Sequence, residues 1–322
     1  MAKTKNKTLK NKTDEIAKAT VCIDFGNGDV KVMAQLPNAS KWNRFSFPSF
    51  IAETEPTSAS ALTVISDDGL KTYAVGEPAR DLPLSRTGAA VGKKAEFSNV
   101  LFLHALRQVF GVPDKDVHCD VIFTAPSVKE YGDEMVERLE NRHHVQIPSN
   151  EFVPGSHVQN YVVEVHRAIP MLEGHLGVFS VASKHGSPVW AVDIGNRTIN
   201  VTKVGADGGI LERRVFDESG VYFLAQAIAD DGLLAPELKT PKPQQVIDVL
   251  FSPDESTAIK IAPALTATLA PILDFIDDSP RYLIGGGALL PGAVALLDAE
   301  VVSDPQWSNI SEIARLSAQV LG

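Results

Sequence analysis

At 322 residues, 44% hydrophobic and 22% charged, the chain fits two globular domains, each with its own core, and excludes collagen-like and low-complexity chains. Its longest stretch without a charged residue, Tyr282 to Leu297, is interrupted by glycines and a proline and falls short of the about 20 apolar residues of a membrane-spanning helix. A formal net charge of −10 argues against broad non-specific binding to nucleic acid, because phosphates repel an acidic body.

Positive charge is concentrated at the start, where residues 1–20 hold six lysines against Asp14 and Glu15. The segment MAKTKNKTLKNKT has neither the apolar core of a secretory leader nor the arginines of a mitochondrial one. Residues 1–19 read as a solvated, disordered tail, or as an arm toward DNA, an anionic lipid surface or a neighbouring subunit. Cys22 and Cys119 have no paired or metal-ligand spacing, which predicts reduced thiols and a cytoplasmic protein.

In chain order, Cys22-Ile23-Asp24-Phe25-Gly26-Asn27-Gly28-Asp29-Val30-Lys31-Val32 reads as strand, glycine turn, strand, with an aspartate at the mouth of the hairpin. The loop Pro83 to Lys94 is polar. Phe97 to Phe110 reads as a helix, apolar at Phe97, Leu101 and Val109 and stopped by Gly111-Val112-Pro113. Cys119 to Phe123 reads as a buried strand. Ser127 to His143 reads as a helix, with Ser127 and Glu130 as a capping box and Tyr131, Met135 and Leu139 as its apolar stripe. His143-His144 at its end suits the helix dipole, and the eight histidines show no metal-ligand spacing.

Tyr161 to Ile169 and Val189 to Val192 read as strands. The first hairpin then recurs: Ala191-Val192-Asp193-Ile194-Gly195-Asn196-Arg197-Thr198-Ile199-Asn200-Val201 repeats its pattern 169 residues on. A helix carrying Leu224 and Ile228 follows Gly220. Residues 254–276 have a helical pattern that Pro263 and Pro271 argue against continuing as one straight helix. Tyr282-Leu283-Ile284-Gly285-Gly286-Gly287-Ala288-Leu289-Leu290 reads as a strand, a glycine turn and the start of a helix marked by Leu289, Leu290, Val294 and Leu297. Trp42, Trp190 and Trp307 are expected to pack rather than stack on a ligand. Alternating strands and helices predict α/β layers.

One Asp-X-Gly-Asn is an ordinary hairpin turn, but two at matching places in two halves suggest a duplicated domain facing itself across a cleft. Glycines let the backbone approach an anion and turn N–H groups toward it, and an aspartate beside the turn can hold a hydrated Mg²⁺. The third glycine cluster permits close contact with a flat ligand. Neither the dinucleotide fingerprint nor a Walker sequence occurs, which excludes a P-loop enzyme.

These features resemble the actin / sugar-kinase / DnaK-type ATPase superfamily and, within it, ParM-like (StbA-like) bacterial actins. Phe47-Pro48-Ser49, Tyr73-Ala74-Val75-Gly76-Glu77-Pro78-Ala79, the segment from Asp120 through His144 and Ser303-Asp304-Pro305-Gln306-Trp307-Ser308-Asn309 carry the narrower resemblance, which covers roughly residues 20–318. It implies an α/β, actin-like ATPase fold: two ribonuclease H-like domains facing a nucleotide cleft. Domain I is expected over 20–186, with residues 303–322 packing back on it, and domain II over 187–302.

The resemblance also implies ATP/ADP and Mg²⁺ as cofactors. Asp24 and Asp193 are expected to orient the metal through water. Gly26, Asn27, Gly28 and Lys31 would hold phosphate from the first hairpin, and Gly195, Asn196 and Thr198 from the second. Gly285, Gly286 and Gly287 would contact adenosine and the α-phosphate. Glu173, in Leu172-Glu173-Gly174, stands where relatives carry Pro-Glu-Gly and would position the attacking water; its other reading is a surface-loop carboxylate. Asn200 replaces an acidic residue of relatives, and an amide orients water without acting as a base, so hydrolysis is expected to be slow. Asp29 stands where relatives carry a small polar residue and is expected to turn away from the phosphates.

The function implied is a filament-forming ATPase that segregates DNA through a small DNA-binding adaptor, or a cell-shape filament. The partners are then copies of itself and that adaptor, or a membrane adaptor reached with the lysine-rich tail. A sugar-type kinase and a non-hydrolysing, nucleotide-switched scaffold are the alternatives on the same fold.

Overall fold

The computed structural model describes residues 18–55, 61–66, 69–80, 82, 85–87, 94–111, 115–147, 158–234 and 243–322. Most of the lysine-rich start and most of the loop Pro83 to Lys94 lie outside the described residues. Among those described, strands form two sheets. The first holds β1 (Ala19–Phe25), β2 (Asp29–Gln35), β3 (Asn43–Pro48), β4 (Phe50–Glu53), β5 (Leu62–Ser66), β6 (Gly69–Val75), β7 (Arg86–Thr87), β8 (Val117–Ala125), β9 (Arg142–Ile147) and β10 (Gln159–Leu172). Their order is β3-β2-β1-β8-β10-β9-β5-β6-β4-β7. The second, β11 (Val189–Ile194), β12 (Ile199–Val204), β13 (Ile210–Phe216), β14 (Arg281–Ile284) and β15 (Glu300–Val301), runs β13-β12-β11-β14-β15.

The duplication seen in the hairpins extends to the topology. In the first sheet β3, β2 and β1 are antiparallel, and β1, β8 and β10 are parallel. In the second, β13, β12 and β11 are antiparallel, and β11, β14 and β15 are parallel. Parallel strands need a crossover, and the crossover elements supply the covering layers. In chain order the helices are α1 (Glu77–Arg80), α2 (Lys94–Phe110), α3 (Asp133–Leu139), α4 (Phe179–His185), α5 (Val221–Asp230), α6 (Pro243–Leu250), α7 (Glu255–Leu273), α8 (Ala293–Leu297) and α9 (Ser308–Leu321).

Strand β8 is buried on both faces, which explains its near-continuous apolar run. Val121 and Phe123 face a core shared with Phe97, Leu101 and Phe102 of α2 and Met135 and Leu139 of α3. Ile122, with Cys22 of β1, faces Ile310, Ile313 and Ala314 of α9. The second sheet packs Trp190, Val192 and Ile194 against α5, α6, α7 and α8. Burial pushes the thiols of Cys22 and Cys119 upward, so both are inert.

Three local expectations change. The helix after Ser127 begins as a π turn, Val128–Gly132, with Ser127 Oγ accepting from the Glu130 N–H, and α3 ends at Leu139. His143 and His144 therefore lie on β9, where His143, Val145 and Ile147 alternate inward. His143 is 8% exposed, its ring meets the Leu139 carbonyl at 3.0 Å, and burial lowers its pKa, which disfavours the cationic form expected at a helix end. Second, α7 runs unbroken through Pro263 and Pro271. Both prolines face solvent, where water can meet the carbonyls they leave unbonded. The same helix is long and apolar enough to cross a membrane by length and composition, but here Ile261, Leu265, Leu269 and Ile272 form a stripe in the second core. Third, the residues after Gly285 form a 3-10 turn, Gly286–Leu289, and the short α8 rather than one helix. Trp42 and Trp190 pack as expected.

Ile313, fully buried where α9 meets Cys22 and Ile122, tests whether the last helix belongs to this core. Ile313→Ala is expected to cost about 2–5 kcal/mol, read as a lower urea midpoint at unchanged slope. A shift below about 1 kcal/mol would mean that α9 does not carry that packing.

Candidate functional site

Asp24 and Lys31 are directly opposed across β1 and β2, and Asp193 and Asn200 hold the same places on β11 and β12. Opposed residues project from one face of an antiparallel pair, so each hairpin offers its aspartate and partner to the same side. The turns approach each other closely: a Cβ on Gly28 would stand 3.4 Å from Asn196 Nδ2. Ser49 pins the first turn, its Oγ donating to the Asn27 carbonyl at 2.8 Å. The start of α5 pins the second, with the Val221 and Tyr222 N–H groups donating to the Gly195 and Asn196 carbonyls at 3.0 and 2.7 Å. Gly220 is required there because a Cβ would meet the Asn196 and Arg197 backbone at 2.6 Å.

The glycine-rich turn closes the third side. Gly285 adopts φ +80 and its N–H donates to the Pro305 carbonyl at 2.9 Å. A Cβ there would collide with the Asp193 carboxylate and the Ile194 carbonyl, so glycine is what lets the loop lie on β11.

Between these elements is a cavity of about 180 Å³. Asp24, Gly26, Asn27, Gly28 and Lys31 line it from the first hairpin, and Asp193, Gly195, Asn196, Thr198 and Asn200 from the second. Glu173, Gly285 and Gly286 complete the residues expected from sequence, and Asp29, expected to turn away, lines the wall as well. Gly287 lines an adjoining cavity of about 440 Å³, shared with Asn196 and walled by Tyr222, Gln244, Ile247 and Phe251. Two expected N–H donors are used internally: Gly26 donates to the Asp24 carbonyl and Gly195 to the Thr198 carbonyl, each at 3.0 Å.

The carboxylates sit in different fields. Asp24 Oδ1 accepts from Thr124 Oγ1 at 2.7 Å, and Lys31 Nζ is 3.6 Å from Oδ2. The Asp193 pKa is pushed up to about 6, first by burial and then by the charge of Asp24. Lys31 and the Asn309 amide, which donates to Asp193 Oδ2 at 2.9 Å, only partly offset this. Asn200 Oδ1 accepts from Arg213 Nη2 at 3.0 Å, and the same Nη2 reaches the Pro126 carbonyl at 3.2 Å. Burial pushes the Arg213 pKa down, while Glu173 and Asp193 oppose that shift. His175 is held neutral, its pKa lowered to about 4 mainly by burial.

A hydrated divalent cation fits this donor set. Two carboxylates supply hard oxygens, and a cation between them relieves the repulsion that raises Asp193. Asn27 Oδ1 is buried without a partner among the described residues, an acceptor that a metal-bound water can satisfy.

Several contributors escaped sequence reading. Asn309 has a signal in the Asp-Pro-Gln-Trp-Ser-Asn ending, and it joins the Asp193 carboxylate to the Gly177 N–H. Thr124 closes an apolar strand, and Arg213 lies in a charged one; neither has a local signal. Trp307 packs as expected, against the cluster of Cys22, Ile122 and Ile310, and it also lines the cavity, with the Arg44 guanidinium carbon 4.0 Å from its ring centroid.

The two sheets and the cleft have the actin-like fold. Residues 22–174 match the family described as actin-like proteins, N-terminal domain. Among solved structures, Ta0583, an archaeal actin homologue, superposes with TM-score 0.73 at 18% identity over 94% of this chain and 99% of its own. Alp7A, an actin-like protein, superposes with TM-score 0.70 at 13% identity over 94% and 97%. The subunit of a 15-stranded ParM filament from Clostridium botulinum gives 0.66 at 17% identity over 94% and 100%. No curated protein sequence matches the chain. The family match and these neighbours bear out the resemblance to ParM-like bacterial actins.

The raised Asp193 pKa yields a sign-specific expectation. A carboxyl whose folded pKa exceeds its unfolded value contributes stability below the unfolded value and loses it as pH rises through the folded one. In chelator and without nucleotide, Asp193→Asn is therefore expected to melt above the parent at pH 8, with the gap closing between pH 6 and 4. A variant less stable than the parent at pH 8 would contradict this account of the cleft.

Proposed function

We propose that the chain binds Mg-ATP in this cleft, hydrolyses it slowly, and assembles with copies of itself into a filament. The observation that carries the reading is the placement of Asp24 and Asp193, with both glycine turns and the Gly285–Gly287 loop, around one cavity. The Clostridium botulinum neighbour is the subunit of a filament, which supports assembly, and the actin-like family match supports nucleotide use.

In this reading the adjoining cavity takes the adenosine, against Gly286, Gly287 and Tyr222. Lys31 and the remaining turn N–H groups hold phosphate, while Asp24 and Asp193 hold metal-bound water. The bound magnesium ion would supply charge neutralisation at the phosphates. Glu173 is set at the cavity wall by its own N–H, which donates to the Ala125 carbonyl at 3.0 Å, and it orients the attacking water. Gly174, at φ +85, brings this loop against Asn200. As an amide, Asn200 neither accepts a proton nor adds negative charge, and its carbonyl oxygen is already engaged by Arg213, so turnover is slow.

Assembly follows from linkage. A nucleotide contacting both hairpins favours the closed cleft, and a filament contact that prefers closure thereby prefers ATP. With an acidic body, DNA cargo is reached through a small DNA-binding adaptor, and a cell cortex through a membrane adaptor. Two buried, reduced thiols suit a cytoplasmic protein. The engagement of Asn200 by Arg213 also favours a second reading, a nucleotide switch that binds without turnover.

Right-angle light scattering across protein concentration, with Mg-ATP, Mg-ADP or no nucleotide, tests the proposal together with negative-stain imaging. Scattering above a critical concentration with ATP, and filaments on the grid, are expected. Flat scattering despite tight ATP binding removes the polymer reading for the chain alone. Asp24→Ala is expected to abolish nucleotide-dependent assembly. Glu173→Ala is expected to slow phosphate release by about 10²-fold or more and to lengthen filament lifetime; unchanged turnover would remove Glu173 from catalysis.

A further inference from the structure

Outside the cleft, among the described residues, one group of side chains brings metal-ligand atoms together: His118, Glu164 and His166. It is built by the parallel pairing of β8 and β10, in which Glu164 lies opposite His118. The register then slips between Val165 and Arg167, so that His166 is an extra residue on its strand. Such a bulge re-aims a side chain. As a result His118 Nδ1 and His166 Nε2 are 3.1 Å apart, and Glu164 Oε2 is 3.8 Å from His118 Nδ1. The other carboxylate oxygen is 4.0 Å from His166 Nδ1.

Two imidazole nitrogens at this separation share one proton, so at least one ring is neutral. Both side chains are only about one-fifth exposed, and their strands are fixed by the sheet, so the approach is largely preorganised. Neutral imidazole with carboxylate is a zinc ligand set, and tetrahedral coordination at 2.0–2.1 Å places ligand atoms about 3.3 Å apart. The two nitrogens already stand near that spacing; the carboxylate oxygen, 3.8 Å from His118 Nδ1, has to close in on both rings, the ligand atoms all lying within 4.8 Å of one another. Magnesium prefers oxygen ligands, so this set differs in kind from the two aspartates of the cleft.

The surrounding charges are matched among themselves. Arg142, opposite Glu164 on β9, pairs with Asp116 at 3.8 Å. Asp120, the next inward residue on this face of β8, pairs with Arg167 at 3.0 Å and Lys18 at 3.9 Å.

We propose that His118, Glu164 and His166 bind a divalent cation of the zinc class, clamping β8 to β10 and leaving a fourth position for water. The shared proton moves to the other nitrogen of the ring that donates it, so that both lone pairs face the ion. Thr124, which holds Asp24 in the cleft, lies six residues further along β8, about 20 Å away. The two sites are therefore physically separate.

Isothermal titration of the full chain with ZnCl₂, after chelator treatment and in magnesium-free buffer, tests this. One bound equivalent is expected, together with a rise in melting temperature. His118→Ala and His166→Ala are each expected to weaken binding at least tenfold and to remove the thermal shift, while His185→Ala leaves both unchanged. Co²⁺ as a probe is expected to give the visible absorption of a four-coordinate ion, lost in the same variants. Should His118→Ala fail to fold, His166→Gln and Glu164→Gln, at partly exposed positions, decide by the same comparison. Absence of a one-equivalent site, or binding that survives both histidine substitutions, overturns the proposal. Mg-ATP binding by the Glu164→Gln variant, measured in parallel, reads the cleft independently.

Discussion

Two carboxylates held in one partly buried cleft, Asp24 and Asp193, are the constraint around which the centre of this protein is arranged. Their charges oppose each other across the gap between the hairpins, and burial adds to the cost of ionising Asp193. The neighbouring groups partly offset that cost: Lys31 and Thr124 on the Asp24 side, Asn309 on the Asp193 side. Arg213 adds a half-buried cation at the rear. A protein selected for stability alone would have little reason to keep such a pair. The strain is consistent with a site completed by a cation and an anionic ligand.

Duplication explains how the pair is positioned. Each sheet places a three-stranded antiparallel meander beside two parallel strands, and in each the first hairpin ends in a glycine turn with its aspartate one residue before the strand ends. Facing the copies together brings the turns so close that a single added Cβ at Gly28 would touch Asn196. The copies have diverged where they meet. Lys31 of the first is Asn200 of the second, so one hairpin carries a cation beside its aspartate and the other an amide that Arg213 engages.

The last helix ties the halves to the cleft. Its buried face lies on β1 and β8 of the first sheet, while Asn309 at its start bonds both the Asp193 carboxylate of the second sheet and the Gly177 N–H. A displacement of one sheet relative to the other would have to break or carry those bonds. Cleft geometry and the seating of α9 are thus mechanically coupled, which is the kind of connection that nucleotide-linked assembly requires.

Much of this was legible in the residues themselves. Glycine spacing and period-two alternation marked both hairpins, and the repeated pattern pointed to the duplicated halves, because backbone permissiveness and strand periodicity are local properties. Residue resemblance then nominated the cleft side chains, from Asp24 to Gly287. Local signals failed where tertiary context prevailed. Pro263 and Pro271 sit within one helix because solvent meets the carbonyls they leave open, and His143 belongs to a strand because its alternating neighbours face a core. Arg213 reaching Asn200 and Pro126, Thr124 holding Asp24, and the meeting of His118 with His166 depend on strand pairing across tens of residues. Sequence alone determined the turns, the periodicity and the repeat, since each is written within a few neighbouring positions. The tertiary structure decided which distant charges and rings share a site, since that follows from register and packing.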